Sequence, residues 1–184
     1  MQPKSGYMCS LERFKIDLKG LTAEVTTLEY DLDNGFFSAL DQTEVESGTL
    51  HVSLSIRKAS GFFEFQFHTV GTVYITCDRC LDLMEQPIET DNHLVVKFGS
   101  TNSEDDDTVI VDENEGILDT SWFIYEFIAL AIPIQHVHAT GKCNPAMTEV
   151  LERLSSDRSR DEGSSSEIDS RWSELLKLKD KTIK

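Results

Sequence analysis

Residues 48–58 read GTLHVSLSIRK, and residues 61–77 read GFFEFQFHTVGTVYITC. In the first run Leu50, Val52, Leu54 and Ile56 alternate with His51, Ser53, Ser55 and Arg57. A strict period of two places one set on a buried face and the other in water, which is the pattern of a strand with one wet face. In the second run Phe63, Phe65 and Phe67 alternate with Glu64 and Gln66, and the strand leads directly into Cys77. After a short turn, residues 86–98 (QPIETDNHLVVKF) read as the returning strand. Three consecutive long strands joined by short connections predict an antiparallel sheet.

Working outward, residues 11–18 (LERFKIDL) alternate as a half-buried strand does, and residues 23–31 read as another extended segment. Asp33-Asn34-Gly35 is a turn, followed by FFSAL, which suits one helical turn or a short connection. Residues 109–112 (VIVD) are a short strand candidate. Asp119 is placed to cap a helix, WFIYEFIALAI, that is apolar almost all round and is therefore expected to be buried against the sheet. Pro133 ends it. Pro145 suits the first position of a last amphipathic helix, AMTEVLERL. The expected fold is α+β: an antiparallel sheet of long strands packed on a buried helix, with a C-terminal helical tail. Residues 1–154 form a single domain in this reading. Residues 155–167, rich in Ser and charge, read as a flexible linker, and 168–184, with Trp172, Leu175, Leu176 and Leu178, as an amphipathic tail.

Charge narrows the function classes. The chain carries 33 acidic against 17 basic side chains, a net charge of −16. Such a surface repels phosphate backbones and favours basic partners. The longest apolar stretch, residues 122–134, is interrupted by Glu126 and falls short of the ~20 residues that cross a bilayer. The N-terminal MQPKSGYMCS lacks the apolar core of a secretory signal, so the cytoplasm is the expected compartment, with cysteines reduced.

Four cysteines are present, two of them in Cys77-Asp78-Arg79-Cys80. Cysteines three apart turn both sulfurs towards one metal when the backbone forms a tight knuckle, since Zn–S bonds of ~2.3 Å need sulfurs close together. The same pair is open to a thiol redox or zinc-sensing role, but a redox dithiol starts a helix in a βαβ unit, and this pair lies between antiparallel strands. A zinc site needs four ligands. Cys9 and five histidines are available, and residues 134–143 (IQHVHATGKC) concentrate His136, His138 and Cys143 just past the apolar helix. Cys77, Cys80, His138 and Cys143 make a chemically reasonable Cys3His set for a closed structural zinc site. Cys143 as a small buried hydrophobe, with the histidines facing solvent, is equally compatible with the spacing.

No catalytic residue is expected. Nucleophile-elbow, phosphate-loop and zinc-protease patterns are absent, and the acidic runs at 104–107 and 112–115 lack calcium-loop spacing. A Cys–His nucleophile, Cys77 or Cys80 beside His138, is formally open, but the sequence points to no substrate pocket for it.

The long strand entering CDRCL, the acidic middle, the apolar helix and the ending IPIQHVHATGKC together resemble the YceD family of large ribosomal RNA subunit accumulation proteins. Cys77, Arg79 and Cys80 fit its C-x-R-C pair; Pro133, His138 and Cys143 fit its P-x-x-P-x-H-x4-C ending. His136 stands where the family has its second proline, leaving two histidines, of which His138 is in register. The resemblance covers roughly residues 45–147 and finds no counterpart for the N-terminal strands, linker or tail. It implies a non-enzymatic role in synthesis, processing or stability of large-subunit ribosomal RNA. Given the charge, the expected partner is a basic ribosomal protein or a pre-large-subunit particle, with direct RNA contact disfavoured, and no membrane or small-molecule substrate.

Overall fold

A computed structural model describes residues 11–40, 44–45, 47–99 and 108–154. Two compact units divide the chain, residues 1–148 and 149–184. Of the second, the described residues 149–154 are helical, with Val150, Leu151 and Leu154 exposed. Cys9, the acidic run 104–107, the linker 155–167 and the tail 168–184 lie outside the described residues.

The alternating runs form the centre of a five-stranded sheet, β2(Val25–Leu32), β3(Ser47–Ala59), β4(Phe62–Thr76), β5(Leu83–Phe98) and β6(Thr108–Val111), in the order β2-β3-β4-β5-β6. Register follows the hydrophobic phase: Leu54 opposes Phe67 and Ile56 opposes Phe65, all buried. A slip of one residue would carry every one of them into water. Leu50 faces Gly71, where a Cβ would come 2.3 Å from the Thr49 carbonyl oxygen, so glycine is required for the strands to approach. The first four strands pair antiparallel, but β6 pairs parallel to β5, so the sheet is mixed rather than wholly antiparallel. A tight hairpin would have forced the other direction.

The expected strand over 11–18 is instead a 3-10 turn, Glu12–Phe14, and a three-residue strand, β1(Lys15–Asp17). β1 pairs with β7(Ile117–Asp119) in a separate two-stranded sheet. FFSAL lies within a true helix, α1(Asn34–Leu40), whose Phe36 and Phe37 are fully buried. Phe36 packs on Phe14, ring centroids 5.0 Å apart, and Phe14 on Tyr30 at 4.8 Å.

α2(Ser121–Ala131) follows β7 directly. The Asp119 carboxylate accepts from the Ser121 backbone N–H at 2.9 Å, and Thr120 ties the helix start to the Phe14 carbonyl through both its N–H and its hydroxyl. The all-round burial expected of α2 is not found. Ile124, Tyr125 and Ile128 are buried in the core and Phe127 meets Phe67, but Trp122 and Leu130 are exposed. One short helix on a wide sheet has a single face to bury, whatever its composition.

A candidate metal centre at the end of β4

The core-facing parity of β4 runs through Phe63, Phe65, Phe67, Val73 and Ile75, and carries on to Cys77, which is fully buried. The chain then turns. The Cys77 N–H donates to the Asp82 carbonyl at 2.9 Å, and the Leu81 N–H donates to the Cys77 carbonyl at 2.9 Å, closing the knuckle that joins β4 to β5. Leu81 has φ of 61°, a left-handed conformation that costs a residue with a Cβ about 1 kcal/mol or more. The knuckle holds the Cys77 and Cys80 sulfurs within 4.8 Å of each other, and both thiols are buried.

The second half comes from the chain after α2. Pro133 stops the helix and the segment loops to His138 and Cys143. The Lys142 N–H donates to the Ala139 carbonyl at 2.9 Å, in a turn with Gly141 at φ of 80°. Asn144 then opens α3(Pro145–Leu154), its Oδ1 accepting from the Ala146 N–H at 3.1 Å, with Pro145 at the first helical position as expected. The Asn144 amide also donates to the Asp82 carboxylate at 3.0 Å, bracing the second segment against the knuckle.

The sulfurs of Cys77, Cys80 and Cys143 and a ring nitrogen of His138 all lie within 4.8 Å of one another. Cys77 Sγ is 4.0 Å from Cys143 Sγ, and Cys80 Sγ is 3.3 Å from His138 Nδ1. Tetrahedral coordination with bonds of 2.0–2.3 Å requires donor separations of about 3.5–3.8 Å, so a small contraction completes the cage. Electrostatics favour a cation there. Burial pushes the Cys77 thiol up, but backbone hydrogen bonds from Cys80, His138 and Arg79, with the His138 side chain, outweigh it and lower the pKa from 9.0 to about 6. The Cys143 thiol is raised, by burial and then by its hydrogen bonds and charge interactions with Cys77 and Cys80. Like charges crowd one pocket, and a divalent ion relieves them. Thiolates with one imidazole suit a soft or borderline metal. The donor set fits a metal ion.

The remaining histidines divide clearly. His51 and His68 lie on the wet face of the sheet beside carboxylates: His51 bridges Asp31 and Glu29, and His68 meets Asp91, all at 2.8 Å. His93 is on the same face, opposite Gln66. His136 is near the cluster but is taken up otherwise. Its N–H donates to the Asp78 carboxylate at 2.8 Å, its carbonyl accepts from the Asp78 N–H at 3.0 Å, and its ring bonds Asp78 and the Pro133 carbonyl. The bracing roles of Asp78, Asp82 and Asn144 were invisible to spacing, although a polar side chain just inside or outside a knuckle is where such a brace would sit. The run 112–115 makes a turn, with Asp112 accepting from Asn114.

Fold and cluster together define a class: an α+β protein in which two distant loops converge on a part-buried Cys3His constellation at one end of a sheet. Residues 65–179 match the family described as large ribosomal RNA subunit accumulation protein YceD. The chain belongs to that family. The match spans both halves of the cluster, begins later than the resemblance in the sequence, at Phe65, and extends through the linker and most of the tail. No curated protein and no solved structure matches the chain. Among the described residues no helix is long and apolar enough to cross a membrane.

Proposed function

We propose that this chain is a non-enzymatic factor in large ribosomal subunit biogenesis, acting on the synthesis, processing or stability of large-subunit ribosomal RNA in the cytoplasm. Family membership over residues 65–179 carries the reading. It acts through a basic ribosomal protein or the pre-large-subunit particle, because a net charge of −16 opposes broad contact with RNA phosphates. Carboxylates on the wet sheet face, among them Glu29, Asp31 and Asp91, add to that opposition.

The Cys3His cluster holds one zinc ion, with Cys77, Cys80, His138 and Cys143 as ligands. All four positions are protein donors, which is the arrangement of a structural rather than a catalytic site. Zinc there joins the β4–β5 turn to the segment after α2. A Cys77/Cys80 redox couple is not favoured, since the Cys77 sulfur has Cys143 as a contact and the Cys80 sulfur has His138, as shared coordination of one ion would require.

Sedimentation of tagged chain against ribosomal fractions tests the function. Co-migration with large-subunit precursors, and reduced large-subunit RNA after depletion, are the expected results. Migration with no particle, together with normal RNA levels after depletion, would overturn the reading.

A further inference from the structure

A cavity of about 510 Å³ opens beside the knuckle. One wall is the end of β4 and part of the turn after it, Ile75 to Asp78 with Leu81. The other is the end of α2 and its exit, including Leu130, Pro133 and Ile134. Single exposed aliphatics are ordinary on protein surfaces. Here three stand around one opening: Leu81 is 66% exposed, Leu130 81% and Ile134 103%. Exposed aliphatics gathered around one opening suit an interaction site. The mutual hydrogen bonds of Asp78 and His136 clasp the two walls together, so the opening is pre-formed.

The charged lining is acidic. Glu44 and Asp78 contribute to it, and none of its described residues is Lys or Arg. We propose that this groove is the docking site for a short segment of a basic protein, its aliphatic side chains entering between Leu130 and Leu81 and its lysines or arginines meeting Glu44 and Asp78. The inference rests on the reading of the chain as a factor that engages a basic ribosomal protein, and gives that contact a place. An RNA strand would find no Phe, Tyr or Trp in the described lining to stack on, the His136 ring there is held by Asp78 and the Pro133 carbonyl, and the strand would meet carboxylates. A second copy would bring another net charge of −16 and, in a symmetric pairing, set this acidic lining against itself.

The test is fluorescence anisotropy with the full chain and a fluorescein-labelled peptide carrying leucines at i, i+3, i+4 and i+7 on a lysine background. Saturable binding is expected, lost when the peptide leucines become serine. Leu130→Ser and Ile134→Ser should each weaken it at least about tenfold, the scale of an interface hot spot. Both side chains point into solvent, so folding is spared. Glu44→Gln should weaken binding a few-fold and lessen its salt dependence. Equal binding of the leucine and serine peptides, or full affinity in Ile134→Ser, overturns the groove. So does a single-stranded RNA probe, or self-association by sedimentation, whose binding is lost in Ile134→Ser while the peptide's is not. The Ile134→Ser chain is also run against ribosomal fractions. If it co-migrates with precursors as wild type does, the groove fails and the assembly reading stands. If the wild-type chain never co-migrates, the assembly reading fails and the peptide result decides the groove separately.

Discussion

Asp78 and His136, 58 residues apart, hold each other by reciprocal hydrogen bonds: the Asp78 N–H donates to the His136 carbonyl, and the His136 N–H donates to the Asp78 carboxylate. The clasp joins the two loops of the Cys3His cluster without using any of its four side chains. Asp78→Ala removes the acceptor and leaves one backbone N–H to a half-exposed site, for a loss of about 1 kcal/mol in unfolding stability. His136→Ala keeps both backbone groups and should cost less. Urea denaturation of the two variants checks the order, and an equal or reversed order refutes the clasp.

Metal content separates the two histidines. Wild-type chain should carry one equivalent of zinc by elemental analysis. Cys77→Ser, Cys80→Ser, His138→Gln and Cys143→Ser should each reduce affinity by more than the ~10–100-fold typical of changes outside the ligand shell. His136→Gln should stay within that range. Retention of tight zinc by His138→Gln would reject the ligand set. Affinity should also rise with pH across the neutral range: Cys77, at about 6, is already largely thiolate at pH 7, but the raised Cys143 must release a proton to bind.

The sheet was legible from the sequence because burial on one face leaves a period-two trace, clearest in Leu50–Ile56 and Phe63–Phe67. Cys77 could be placed at the strand's end for the same reason. The cluster was harder. Nothing in the spacing alone chose His138 over His136, since the choice depends on a three-dimensional contact, Asp78 taking His136; only the family register pointed to His138. The parallel return of β6 was hidden because four residues carry no directional signal. α2 misled: its composition suggests burial on all sides, yet the side bearing Trp122 and Leu130 is left uncovered. The N-terminal LERFKIDL alternates over too few residues to distinguish a strand from a 3-10 turn followed by three strand residues.

Thr69 offers a stability test at the centre of the sheet. It is buried on the core-facing parity of β4, opposite Val52, and its hydroxyl has no hydrogen-bond partner among the described residues. An unpaired buried hydroxyl costs about 1–3 kcal/mol. Thr69→Val keeps the shape and removes the polar atom, so stability should rise by about 1 kcal/mol, read as a higher denaturant midpoint with unchanged slope. A fall in midpoint would show that the hydroxyl is in use.

His51 gives the pH dependence. Its Nδ1 lies 2.8 Å from Asp31 and its Nε2 2.8 Å from Glu29, both on the neighbouring strand β2. The hydrogen bond to Asp31 is the largest influence; partial burial opposes it and Glu29 reinforces it, and the net effect raises the imidazole above its ordinary 6.5. A group whose folded pKa is raised stabilises the fold most where it is protonated in both states. The contribution is therefore fully present below pH of about 6.5 and fades as pH rises through the folded value. His51→Gln should be less stable than wild type at acid pH, with the gap closing towards alkaline pH and shrinking in salt, because the pair is exposed. NMR titration of the His51 ring should give a midpoint above 6.5. A midpoint at or below that value, or a stability gap that widens with pH, would show that the two carboxylates do not hold the proton.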